Sequence, residues 1–273
     1  MITLLQNNNQ DAAVRHNLIE ADSPSDPDDF NVFMERDKQL MQLWNSDSPK
    51  AIDRFVEGTW LLIEDSPAEP GAYQNLMMGM ERYERAGAFR KARELDGRLS
   101  DSPVPDEFKK WSRGFLNRLA LPGKRLSLQF TAVDGREVDL TKMRGKVVLV
   151  IFWGARCGPC KIELPRVQAA WEKHHAQGFE VIGISCDSVK SDLEEYLRRH
   201  KISWPQYFGG QRRTENKFTL EFGINGIPHM LLVDKAGNLR FDNVRANAPG
   251  QSKGDPIHFE EKISTLLAEQ TDY

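Results

Sequence analysis

Cys157 and Cys160 stand two residues apart, with Gly158 and Pro159 between them. The thiolate, not the thiol, is the form that attacks a disulfide. Two intervening residues let one helical turn bring the two sulfurs together. An apolar, β-branched run from Val147 to Trp153 leads into the pair, and a stretch of helical character follows it. A buried strand therefore delivers two cysteines to the first turn of a helix. The partial positive charge and free amides of that helix terminus favour the thiolate of the first cysteine. The spacing points to dithiol–disulfide chemistry. The competing reading is half of a zinc site, which needs four ligands. There is no second CxxC and no histidine pair at finger spacing, so no metal site is expected.

Other reactive side chains stand nearby. Arg156 precedes Cys157, where a cation lowers the thiol pKa or favours acidic partner surfaces. A solvated arginine is the alternative. Glu163, three residues after Cys160, projects from nearly the same helix face. Cys186 ends the next apolar run, at a sheet edge shared with the CxxC. A third redox cysteine is conceivable there, but a buried small hydrophobe is the reading adopted. The six histidines form no metal constellation, and His174 and His175 read as solvated.

These residues need elements to hold them. Residues 1–28 are polar and end in a Pro/Asp-rich stretch, which predicts a mobile tail. Residues 29–121 predict a helical domain. Apolar stripes at helical spacing (Phe30 to Trp44, Ile52 to Ile63, Tyr73 to Met80, Phe89 to Leu99, Phe108 to Leu119) are separated by Ser48-Pro49, Pro70-Gly71, Gly87 and Ser102-Pro103. Residues 122–273 form the second domain. LSLQFTAVDGREVDL alternates, with Asp134-Gly135 as a hairpin turn. Strands are predicted over 147–153, 179–185 and 229–234, the last continuing into 239–241. Helices are predicted over 157–177, 192–200, 218–222 and 259–269. Residues 202–208, with Trp204-Pro205, read as irregular, and 243–255 as a loop. The order β-β, β-α-β-α, β-β-α predicts an α/β sheet with helices on both faces.

Composition sets the outer bounds. The 273 residues suit one large domain or two ordinary ones. A formal charge of −3 gives no bulk electrostatic case for nucleic acid or an anionic membrane. Three cysteines are too few for a stapled secreted scaffold. No segment approaches the roughly 20 apolar residues of a membrane span. The N-terminal residues lack the basic and apolar regions of a signal peptide, so a cytoplasmic location is expected unless a targeting segment lies upstream.

Trp153-Gly-Ala-Arg-Cys157-Gly-Pro-Cys160, with Glu163 and Pro165 after it, resembles the thioredoxin fold. More narrowly, it resembles the TlpA/ResA-like branch of bacterial thiol–disulfide oxidoreductases. GREVDLTKMRGKVVLVIFW resembles the branch's extended hairpin and entry strand, and FEVIGISCDS its second central strand. Gly226-Ile227-Pro228 with HMLLVDKAGN resembles its cis-proline loop and terminal hairpin. The resemblance covers about 123–269. It implies an α/β thioredoxin-like fold, a central mixed sheet flanked by helices, here preceded by a small all-α helical domain.

The resemblance also assigns roles. Cys157 is the attacking nucleophile and Cys160 resolves the mixed disulfide. No cofactor is implied beyond the redox-active disulfide Cys157–Cys160. Glu163 matches a glutamate that the branch carries near its active site, and is expected to assist proton transfer to or from Cys160, a surface helix glutamate being the alternative. Pro228 is expected to be cis, facing the CxxC and leaving the Ile227 backbone free to pair with a substrate strand. Pro165 matches the proline that kinks the active-site helix. Trp153, Arg156, Pro159, Ile227 and Pro228 are the expected substrate-binding residues, with Trp153 packed under the CxxC. Gly158-Pro159 is the dipeptide of reducing thioredoxins. Two positions depart from the pattern: Arg156 replaces an aromatic residue, and Ile151 stands where thioredoxins proper carry a buried aspartate.

The implied partners are a protein thiol or disulfide substrate and an upstream reductant. The implied setting is the cell envelope or periplasm, in a pathway such as cytochrome c maturation. Two other functions compete. A peroxiredoxin-like peroxidase needs a threonine and a proline before a single peroxidatic cysteine, where this chain has Trp153-Gly154-Ala155-Arg156. A binding module would use the helical domain to dock a partner.

Overall fold

The computed structural model describes residues 29–42, 48–65, 70–246 and 259–270, without the side chains of 29–34 and 70. The expected tail over 1–28, Trp44 and most of the 243–255 loop lie outside the described residues. The chain divides into two compact units, Met1–Ser112 and Arg113–Tyr273.

In the first unit, helices α1 (Asp29–Gln42), α2 (Pro49–Asp65), α3 (Pro70–Arg85) and α4 (Phe89–Ser100) pack in sequence, followed by the start of α5 (Asp106–Leu119). Ser48 caps α2 by accepting the Ala51 amide on its hydroxyl at 3.3 Å, and Pro49 opens the first turn, where no amide hydrogen is needed. The predicted stripe Ile52, Phe55, Val56, Trp60 and Ile63 is buried. Gly87 turns the chain between α3 and α4 at a φ of 67°, a left-handed conformation that favours glycine.

The second unit opens with the hairpin β1 (Gln129–Thr131) and β2 (Glu137–Asp139), paired antiparallel. Then follow β3 (Val147–Trp153), α6 (Gly158–His174), β4 (Phe179–Ser185), α7 (Lys190–His200), β5 (Gln206–Phe208), α8 (Lys217–Glu221), β6 (His229–Val233), β7 (Leu239–Asp242) and α9 (Phe259–Ala268). The five-stranded sheet runs β5-β4-β3-β6-β7. Strands β3, β4 and β5 are parallel, and β6 and β7 join antiparallel. This is the expected mixed thioredoxin-like sheet. All seven residues of β3 are buried, as a central strand covered on both faces requires. Ile151 and Trp153 face a core with Leu164 and Val167 of α6, Leu193 of α7 and Ile263 of α9. Val150 and Phe152 face a second core with Phe218 of α8 and Val138 of β2. Among the described residues, no helix is long and apolar enough to cross a membrane.

Two expectations are corrected. Residues 202–208 are not wholly irregular, because Gln206–Phe208 forms the edge strand β5 beside Gly183–Ser185. Pro205 cannot donate to the ladder, but its carbonyl still accepts the Gly183 amide at 2.9 Å. His174 is not solvated: it is buried, with Nδ1 3.3 Å from Gln177 Oε1, whereas His175 is exposed.

Candidate active site

Register decides what meets at the sheet edge. Trp153 of β3 pairs with Ser185 of β4, so the two parallel strands end together. Gly154 to Cys157 and Cys186 to Asp187 therefore leave the sheet side by side. Cys157 is the N-cap of α6, and its sulfur receives the Cys160 amide at 3.2 Å. A disulfide joins Cys157 and Cys160, with S–S 2.11 Å and Cα–Cα 5.2 Å. Cys157 is partly exposed, Gly158 and Pro159 are exposed, and Cys160 is fully buried. The Ile227–Pro228 bond is cis. The Ile227 carbonyl oxygen lies 3.7 Å from Cys157 Sγ, and Arg245 donates to the Pro228 carbonyl. The two sulfurs and the cis-proline loop thus form one face, reached from solvent through Cys157.

The side chains around this face differ sharply in exposure. Glu163 is buried one turn below Cys160, and its Oε2 accepts the Ala246 amide at 2.7 Å. Arg166, on the next turn, donates to the Ala246 carbonyl at 3.3 Å. Arg156 points outward, its side chain 80% exposed, and pairs with Asp192 at 2.7 Å. They border a cleft of about 160 Å³ lined also by Lys161, Glu195, Tyr196 and Arg199. Trp153 is fully buried; its indole N–H donates to Gln206 Oε1 at 3.0 Å, and its ring packs on Tyr196. Gly183 makes room for that amide, since a Cβ there would stand 1.8 Å from Gln206 Oε1. Burial pushes the Cys186 thiol up to about 12, against the pull of Arg213 and with a further push from Asp187.

Comparison with known proteins places this geometry. The AhpC/TSA family profile matches residues 122–242. The thiol-disulfide oxidoreductase ResA of Geobacillus thermodenitrificans is 30% identical over 108 residues, which span 40% of this chain and 60% of that protein. The ResA of Bacillus thuringiensis is 26% identical over 110 residues, 40% of this chain and 61% of that protein. Residues 122–242 are thus similar to the AhpC/TSA family and to the ResA thiol-disulfide oxidoreductases. The chain spans about 60% of the length of the ResA proteins it matches. Among solved structures, the thioredoxin domain of a thiol-disulfide oxidoreductase from Bacteroides vulgatus is 27% identical, covering 45% of this chain and 89% of its own, with a TM-score of 0.40. A thiol:disulfide interchange protein from Chlorobium tepidum is 24% identical, covering 54% and 97%, with a TM-score of 0.42.

Within this thioredoxin-like domain, the structure brings Cys157, Cys160, Ile227 and Pro228 together, and sets Glu163 on the buried side of the same helix. Trp153 is the correction. It was expected among the substrate-binding residues, but an indole with no exposed surface touches no substrate and instead floors the site. Arg156 and Pro159 are exposed at the rim. Arg156 is paired with Asp192 in a largely solvent-exposed ion pair at that rim. His229 is buried on the opposite face of β6, beside its pairing partner Phe152 and bonded through Nε2 to Asp242 Oδ1 at 2.8 Å. The sequence reading missed Asp187 and Gln206. The shared edge that singled out Cys186 was also a signal for Asp187, one residue on.

Proposed function

We propose that the chain is a thiol–disulfide oxidoreductase that reduces protein disulfides through the Cys157/Cys160 dithiol. The observation that supports this reading best is the pairing of a partly exposed Cys157 with a buried Cys160 at the start of α6, facing a cis-proline loop. In the reduced protein the Cys160 amide, which now meets Cys157 Sγ, stabilises a Cys157 thiolate. That thiolate attacks one sulfur of the substrate disulfide, forming a mixed disulfide and releasing one substrate thiolate. The Cys160 thiolate then attacks Cys157 Sγ, the mixed disulfide breaks, and the second substrate thiolate leaves. Two electrons pass to the substrate and the Cys157–Cys160 disulfide remains, to be reduced by an upstream dithiol. Glu163 takes the proton from the Cys160 thiol, which forms the thiolate that attacks. Ile227 and Pro228 seat the substrate chain, with Pro159 and Arg156 at the rim. Gly158-Pro159 favours the reducing direction, and the family resemblance favours an envelope setting.

Turnover of a protein disulfide with dithiothreitol as electron source tests this reading. Cys157→Ser is expected to abolish turnover. Full turnover by that variant would overturn the proposal and favour the binding-module reading. The peroxidase reading is separated by peroxide consumption, which is expected to stay at background.

A further inference from the structure

Asp187 is a buried carboxylate at the edge of the site, and the exchange steps above do not use it. Both of its oxygens accept the Ala155 amide, at 2.9 and 3.0 Å. Its orientation is itself fixed: Ser185 Oγ donates to Oδ2 at 2.9 Å and accepts the Asp187 amide at 3.1 Å. The Ser185 carbonyl in turn accepts from Asn216 Nδ2 at 3.0 Å, and Asn216 caps α8 through the Phe218 and Thr219 amides. The carboxylate lies over the turn that precedes the nucleophile. A Cβ added at Gly154 would stand 3.4 Å from Asp187 Oδ1 and 3.6 Å from Ile227 Cδ1. The same turn is closed by the Cys157 amide, which donates to the Gly154 carbonyl at 3.1 Å. One amide of the Gly154–Cys157 turn is thus held by Asp187, and another by the turn itself.

We propose that Asp187 is a positioning residue for exchange at Cys157: through the Ala155 amide it holds the Gly154–Cys157 turn, and with it the attacking sulfur, against the cis-proline loop. This inference rests on the exchange reading given above. A carboxylate accepting a buried amide is a charge-assisted bond, stronger than a neutral one. Attack on a disulfide needs the sulfur in place, and a displacement of about 1 Å can cost on the order of 10²-fold in rate. The same negative charge opposes ionisation of a nearby thiol. Position and charge therefore act in opposite directions on Cys157, and substitutions separate them.

The test is the single-turnover reaction of the reduced full chain with a small aromatic disulfide, followed across pH. Asp187→Ala is expected to lower the limiting rate at high pH by about 10²-fold. Asp187→Asn keeps an oxygen for the Ala155 amide and is expected to restore that rate to within about threefold. In that variant the thiolate of Cys157 should form at lower pH than in wild type, because the charge is gone. Ser185→Ala should fall between wild type and Asp187→Ala. An alanine variant with the wild-type limiting rate, or an asparagine variant as slow as the alanine one, would overturn the inference. Should Asp187→Ala not fold, the other two variants decide: an unmoved Cys157 titration together with a wild-type rate for Ser185→Ala overturns it. Wild-type protein that fails to react overturns the exchange reading and this inference with it. Wild type and variants reacting alike overturn this inference alone.

Discussion

At the scale of residues, exposure separates groups that look alike in the sequence. Cys157 meets solvent and Cys160 does not, so only the first can be reached by a protein disulfide. Glu163 has two uses open to it, holding the Ala246 amide and moving the Cys160 proton. Glu163→Gln keeps an acceptor for the amide but loses the acid, and is expected to slow resolution of the mixed disulfide by about 10²-fold. Stopped-flow rates across pH would also lose one ionisation, and unaltered pH–rate behaviour would leave Glu163 a structural role only. Cys186 should stay unlabelled when the reduced, folded chain is treated with iodoacetamide at pH 8, because burial holds its thiol near 12. Labelling of Cys186 as fast as Cys157 would revive a third redox cysteine. Cys157, Cys160, Glu163 and Pro228 were legible in the sequence because their spacing is local or their motif has a fixed form. Asp187 was signalled only by the sheet edge it shares with Cys186, because its partner amide lies 32 residues earlier and the β3/β4 register brings them together. Trp153 packs under the CxxC as expected, but adjacency to the motif did not show that its side chain faces wholly inward. It alternates with Phe152 and shares the inner face of Ile151.

At the scale of elements, long apolar strands were readable and short edges were not. Strand β3 is seven buried residues, and a run of that kind has few other places to go. Strand β5 is three residues behind Trp204-Pro205, made a strand by its pairing with β4, where Gly183 leaves room for the Gln206 side chain that reaches Trp153. The end of α5 is held by a buried charge cluster that no local pattern announces. Arg118 donates from Nε to the Phe222 carbonyl at 3.0 Å and pairs with Asp242, which also bonds His229. Gly223 allows the approach, with a φ of 57° and the Phe115 backbone where a side chain would lie. Burial lowers the His229 pKa from the ordinary value near 6.5, although Asp242 pulls the other way. Burial would raise Asp242, but His229 and Arg118 together hold it below its ordinary value of 3.8. The unfolded chain therefore binds a proton on His229 that the folded chain resists as pH falls through about 6.5. Stability is full above that pH and falls below it, while the Asp242 contribution is lost only further down, below about 3.8. The protection of β6 and β7 amides against hydrogen exchange should fall from pH 7 to pH 5 by up to about 1.4 kcal/mol per pH unit, and His229→Gln should flatten that slope. An equal slope in the variant would remove His229 as its source.

At the scale of the whole molecule, the helical unit and the thioredoxin-like unit each have a core of their own. The family match covers residues 122–242 and leaves the helical unit outside it. The proposed chemistry is placed in the matched unit, and the sequence signals for the two differ in kind. The helices follow from apolar stripes and breakers alone, whereas the second unit was recognisable from ordered motifs along its length. Those motifs support the proposed reaction but carry no signal for its substrate. The measurement that tests the central claim most directly is capture on the full chain carrying Cys160→Ser. With the resolving sulfur gone, reduced protein presented with a protein disulfide should accumulate a mixed disulfide, located by mass spectrometry on Cys157 and released by dithiothreitol. Absence of the adduct under conditions where wild type turns over, or its appearance on Cys186, would contradict the assignment of Cys157 as nucleophile and Cys160 as its resolving partner.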